Sequence, residues 1–345
     1  MLGMVALAVD YAYLLNVKTD LQRAADAAAL AAVRDLEPTP TGSQDVEKVK
    51  ATLREYAAEN LGVTSFTVLD SDIQIGRYDP ATVYTNFTIL NDGIYDTVKV
   101  TLRYDNKANS PVSLFFARVM GIKTSNVVAS ATAVLQKATI LKPGAEVLPV
   151  TIPASVWDSR DPGETWSLYN YDPALDVWPI VDALGLKIPG NWGTVDIGPD
   201  NNSSADINNQ ILDGLRQSDL DALFNAGRIP TNEHIDSTYP WLSSADTGDL
   251  AGFQTSLDKS VGRTKLVPIF EDPADANQNG ENTEFRVVRW GVVKIVSTSL
   301  LGLPLNRHLT VQKTYTYDSR LFAQKDLSNA TSVIDGAYTT PVLIE

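Results

Sequence analysis

The sequence predicts an α+β protein: a long N-terminal α-helix followed by two β-rich globular units with antiparallel sheets and peripheral helices. Three observations carry this. The first 36 residues contain no Pro and a single Gly, Gly3, and their second half is crowded with Ala, Leu, Arg, Gln and Lys, the strongest helix formers. From Phe66 to Tyr104 apolar and polar residues alternate, the period of a half-buried strand. After Lys142-Pro143-Gly144 the composition shifts towards Trp, Pro, Gly, Asn and Asp, which marks a second unit. The expected division is an anchoring and assembly helix over 1–36, a small α+β domain over 37–141 and a larger β-rich domain with helical insertions over 142–345.

The elements follow in chain order. A helix of about 35 residues is roughly 50 Å long, more than a globular domain of this size needs. The Pro/Gly/Ser/Thr loop Glu37 to Asp45 stops it and caps the next helix. That second helix runs from about Gln44 to Asn60, with Val46, Val49, Leu53, Tyr56, Ala57 and Leu61 at helical spacing and Gly62 as its stop. Three strands follow, around Phe66 to Ile75, Val83 to Ile89 and Val98 to Tyr104, with turns at Asp79-Pro80 and Asn91-Asp92-Gly93. Pro111 opens a short apolar helix, Val112 to Met120, ended by Gly121, and a strand from Val127 to Thr139 closes the unit. In the second unit, strands are expected at Val147 to Ile152, Trp166 to Tyr171, Lys265 to Phe270, Phe285 to Ser297, His308 to Tyr317 and Thr339 to Ile344. Helices are expected near Ala205 to Gln217, Ser218 to Ala226 and Thr247 to Val261. The apolar run Val287 to Leu301 contains Arg289, Lys294 and many β-branched residues, so it reads as a central strand and not a membrane helix.

Composition narrows the function. A net charge of −14 argues against nucleic acid, whose phosphates call for basic patches. The absence of Cys excludes thiol catalysis and thiolate metal sites. His234 and His308 stand alone, and neither G-x-S-x-G nor a Gly-rich phosphate loop occurs. The expectation is a protein that is not an enzyme and has no resident cofactor.

The N-terminus is apolar but short. Met1 to Val9 is uncharged, Asp10 interrupts, and the next charge is Lys18. A free-standing membrane helix wants about 20 mostly apolar residues. The segment therefore reads as the lower half of a membrane helix whose upper half lies before Met1, or as a helix that leaves the membrane to pack into a filament core. An amphipathic helix capping the chain's own core is the plain alternative. The run GMVALAVDYAYLLNVKTDLQRAADAAALAAV resembles the N-terminal segment of TadG-like, tight-adherence (Tad/Flp) pilus-assembly proteins. Gly3, Asp10, Leu21, Gln22, Ala24, Ala25, Asp26, Ala27, Ala28, Ala29, Leu30 and Ala31 carry the likeness. Pro111 to Leu135 is similar to that family's helix-then-strand unit, and Pro189 to Gly198 resembles it more weakly. Some members carry a von Willebrand A-type domain with a D-x-S-x-S metal motif; none occurs here, so that site is not carried over.

The resemblance implies a structural subunit of a bacterial extracellular pilus-like filament, polymerising through its N-terminal helix. The alternative is a membrane-anchored periplasmic assembly factor; a secreted hydrolase or an adhesin is weaker still. Partners would be copies of itself or other pilus subunits, with the inner membrane before assembly. Helix packing and assembly are expected to fall to Asp10, Tyr11, Leu14, Leu21, Ala24, Ala25 and Ala28. Asp10 among apolar neighbours is costly if buried alone, so a cation or chain N-terminus of a neighbouring subunit would offset it. The alternative is a solvated Asp10 at the membrane boundary. The small Ala24 to Ala32 face permits close helix approach. An adhesin would show Trp157, Trp166, Trp178 or Trp241 in one shallow groove.

One cation site is worth naming. Asp275, Asn277 and Asn279 before Gly280 imitate the start of a calcium loop, with Asp272 or Glu284 as further oxygen donors. Position twelve is Arg286, where a calcium loop has Glu, so a solvated hairpin loop is the competing reading. Asp196, Asp200, Asn201, Asn202 and Asp206 form a second acidic stretch.

Overall fold

In a computed structural model, residues 2–78, 87–88, 94–168, 180–181, 187–188, 194–198, 203–246, 250–271, 284–301, 307–322 and 334–344 are described. The chain forms two compact units. Unit 1 comprises Met1–Glu37, Ser43–Gln136 and Thr340–Glu345; unit 2 comprises Pro38–Gly42 and Lys137–Thr339.

Unit 1 is built on helix α1, Leu2–Arg34, and helix α2, Val46–Asn60. Asp45 caps α2 by accepting from the Lys48 N–H at 3.0 Å, and Gly62, at φ +65°, ends it in the left-handed conformation that glycine adopts without strain. Of the apolar residues at helical spacing, Val49, Leu53 and Ala57 are buried, whereas Tyr56 is exposed. Strands β1, Ile73–Tyr78, β2, Phe87–Thr88, and β3, Thr97–Tyr104, form an antiparallel sheet in the order β2-β1-β3. The turn residues Asp79-Pro80 and Asn91-Asp92-Gly93 lie outside the described residues.

The expected helix over Val112 to Met120 is not one. Val112–Ser113 is strand β4, paired with β5, Thr124–Ser125. Only Ala117–Met120 coils, as a single 3-10 turn closed by Gly121 at φ +85°. The reason is competition for backbone donors. The N–H groups of Phe115, Phe116 and Ala117 point at the Asp10 carboxylate, and β-branched Val112 suits a ladder better than a helix.

Strand β6, Val127–Lys137, extends the sheet beside β3, and Ala337–Ile344 pairs on its other side. Val98 lies opposite Ala133, Val100 opposite Ala131 and Leu102 opposite Ala129. These six are buried. The turn leading out of β3 is held by ions: the Arg103 guanidinium donates to Asp72 at 2.7 Å and to Asp105 at 2.9 Å. Those two carboxylates push the Arg103 pKa upwards. Asn109, at φ +61°, exchanges hydrogen bonds with the Thr67 backbone at 2.9 Å in both directions.

Unit 2 is organised around the long strand Glu284–Ser299. It pairs antiparallel with Trp241–Asp246, Thr264–Phe270 and His308–Lys313. A register shift opposite Ile269/Phe270 moves its side chains between faces. Val287, Trp290 and Val292 therefore join one hydrophobic cluster, and Val293 and Ile295 join another. Burial on both faces explains why the run reads as continuously apolar. The helix Ser204–Asp213 and the short helix Gln254–Ser260 contribute Ile207, Ile211 and Leu257 to the second cluster, and the helix Gln217–Asn225 contributes Leu220 and Leu223 to the first. The final strand, Ala337–Ile344, starts in unit 2 and ends in unit 1.

Gly291 lies under the buried Trp157 ring, and a Cβ there would stand 2.5 Å from Trp157 Cζ2. Gly291→Ala is expected to destabilise unit 2 by about 1–3 kcal/mol through overpacking, read as a lowered urea midpoint. An unchanged midpoint would show that the ring moves aside at no cost.

Candidate functional site

The residues singled out on α1 divide into two groups. Leu21, Ala24, Ala25 and Ala28 are fully buried, with Ala29, Ala32 and Val33, where α1 packs on α2 and β3. The small face is packed on a helix and a sheet of the same chain. Tyr11 is exposed and Leu14 half-buried. Leu7, Val9, Tyr13 and Leu15 are also exposed, so the leading half of α1 offers an apolar, aromatic surface.

Asp10 lies within the leading half, among these exposed residues, yet is only 3 % exposed. Its Oδ1 accepts from the Phe115 N–H at 2.8 Å, and its Oδ2 accepts from the N–H groups of Phe116 at 2.9 Å and Ala117 at 2.7 Å. A carboxylate meeting three backbone donors at the start of a helical turn is a cap, and the donors favour its charged form. Burial pushes the Asp10 carboxyl up, but the Ala117, Phe115 and Phe116 N–H groups, aided by the Arg118 charge, hold it below the usual aspartate range. The partner that offsets its burial is therefore backbone of the same unit, and no neighbouring subunit is needed for that.

This cap places the turn Phe115 to Ile122 against α1. The Tyr13 and Phe115 rings meet edge to face at 5.5 Å. Lys18 donates its ammonium to the Val128 carbonyl, and Gln22 donates to the Ser130 carbonyl at 3.0 Å. Periodicity alone missed the turn as a surface feature. Its run of Phe, Val, Met and Ile reads as core, and Pro111 before it fits the start of a helix as well as a turn.

The cation candidates stand elsewhere. Asp272, Asp275, Asn277 and Asn279 lie outside the described residues, and Glu284 begins the long strand of unit 2. In the second acidic stretch, Asp206 caps the helix Ser204–Asp213 with Ser203 and pairs with Arg216 at 2.9 Å; Asp200, Asn201 and Asn202 lie outside the described residues. Among the described residues no group of three or more His, Asp or Glu is placed to hold a metal ion. Trp157 and Trp241 are core residues, Trp166 packs edge-on against Trp157 at 6.3 Å, and Trp178 lies outside the described residues.

Unit 2 also buries a lysine. Lys265 lies 3.0 Å from Glu146, which also accepts from Arg263 at 2.7 Å. Burial lowers the Lys265 pKa, and Glu146 partly opposes this. The half-buried Glu146 and the Ile211 carbonyl compensate the one buried charge, Lys265, while Arg263 stands at the surface.

The leading helix is the part of the chain with a known counterpart. Residues 1–35 match the Tad family model, "Putative Flp pilus-assembly TadE/G-like". No curated protein and no solved structure matches the chain. The Tad segment coincides with α1, so the match covers the exposed leading half, Asp10 and the buried Ala face, and leaves the rest of unit 1 and all of unit 2 outside it. It associates the chain with Flp/Tad pilus assembly, with pilus components and with the cell envelope. No helix among the described residues is long and apolar enough to cross a membrane.

Because the pKa of Asp10 is depressed in the folded protein, its contribution is present above about pH 4 and is lost as pH falls through the lower folded value. Asp10→Asn is expected to lower the urea midpoint of unit 1 at pH 7, and the gap from the natural protein is expected to narrow below about pH 4. A gap that stays constant with pH would mean that the carboxylate charge is irrelevant to the cap.

Proposed function

We propose that the protein is a component of Flp/Tad pilus assembly in the cell envelope, anchored at the inner membrane through the leading half of α1 and carrying its folded units outside the bilayer. The role is structural and not enzymatic. One observation carries the reading: α1 spends its small-residue face, Leu21 to Val33, inside unit 1, while Leu7, Val9, Tyr11, Tyr13 and Leu15 stay exposed. What the helix has left to offer an outside partner is its leading half. An apolar helix surface exposed in this way is stable only against lipid or another apolar surface.

The filament-subunit reading keeps support from the same exposed stretch. Tyr11, Tyr13 and Leu15 are side chains that pack well between helices. In that reading copies would meet through the leading half of α1 alone, without the Ala face.

Cell fractionation separates the two. The expected result is an intact chain in the detergent-extractable membrane fraction, absent from sheared pili, with piliation lost when the gene is deleted. Recovery in sheared filaments at a constant ratio to the other subunits would favour the filament reading. A chain in neither fraction, with normal piliation in the deletion strain, would overturn both.

A further inference from the structure

Unit 1 carries an exposed apolar cluster that its own core does not use. Phe115, Phe116, Val119, Met120 and Ile122 are exposed, Val119 at 93 %. They stand on the turn that Asp10 holds beside α1, and the Tyr13–Phe115 contact joins turn and helix into one surface.

The charge of this surface is opposite to that of the chain. The whole protein has 42 acidic and 28 basic residues. Yet the stretch Asn106 to Gln136 contains no Asp or Glu, and α1 up to Lys18 contains one acid, Asp10. The Asp10 carboxylate is turned inward onto the backbone. Lys18, Arg118 and Lys123 are exposed. Apolar and aromatic side chains flanked by Lys and Arg suit the boundary between lipid headgroups and acyl chains, and cations there are drawn to anionic lipid.

We propose that the turn Phe115 to Lys123 is a membrane-seating element. Phe116, Val119, Met120 and Ile122 enter the acyl boundary of an anionic phospholipid leaflet, and Arg118 and Lys123 face its phosphates. This rests on the reading that α1 anchors the chain in a membrane, and adds a second, folded contact beside it. The Asp10 cap fixes where along α1 the turn lies, and so how deeply the helix enters when the turn meets the surface.

The chain has no Cys, so Val119→Cys and Val9→Cys can each be labelled with an environment-sensitive nitrobenzoxadiazole dye in the full chain. The probe is a vesicle of phosphatidylcholine with phosphatidylglycerol, compared with phosphatidylcholine alone. The expected result is a blue-shifted emission at both positions, quenched by spin-labelled lipid, with the position 119 signal favoured by phosphatidylglycerol. Replacing Arg118 and Lys123 by Gln is expected to weaken the position 119 response about fivefold per cation removed. A shift at position 9 with none at position 119 would overturn the seating element and leave the helix anchor standing. No shift at either position would overturn both. A shift at position 119 that needs no vesicles and grows with protein concentration would assign the surface to a second copy and also overturn the proposal.

Discussion

A helix can lie close against a sheet only where its side chains are small, and α1 meets α2 and β3 through an alanine face. The geometry of unit 1 depends on that contact. Each buried Ala loses no rotamer freedom on folding, so the favourable burial is not opposed by side-chain ordering. Lys18 and Gln22 extend the same attachment by donating to the carbonyls of Val128 and Ser130.

The Asp10 cap belongs to the same construction. A buried carboxylate is costly unless it is fully hydrogen-bonded, and three adjacent backbone N–H groups satisfy it without another charge at hydrogen-bonding distance. Such a cap needs those donors withheld from a regular helix, which is why residues 112–116 are not helical. Upstream, the Arg103–Asp72–Asp105 ions and left-handed Asn109 and Ser110 deliver the chain to this position. One acid on the helix thus selects the local conformation of a segment about a hundred residues later. The result places the Phe115 to Ile122 turn on the surface beside the exposed part of α1, where the Tad-type segment would meet lipid.

Much of the fold could be read from residue pattern. Helix α2 begins at an acidic cap and ends at Gly62 as expected, since capping and glycine chemistry are local. The strands β3 and β6 and the long central strand of unit 2 follow from alternation or from β-branched apolar runs. The site was legible only in part. Asp10 stood out because a lone acid among apolar residues demands a partner, yet no pattern names a backbone partner on a distant segment. The segment Val112 to Met120 misled because an apolar run of that length fits a short helix, a ribbon or an exposed turn equally well by periodicity.

By itself, the sequence determined the long N-terminal helix, its small-residue face, helix α2, the main strands of both units, and the Tad-type character of residues 1–35. These follow from propensity, spacing and local motifs, which act within a few residues. Tertiary structure alone decided which partner takes the alanine face, what satisfies Asp10 and which apolar residues remain outside. Those outcomes depend on contacts between residues far apart in the chain, where competition for buried area and for backbone donors selects one arrangement among several that the local pattern allows.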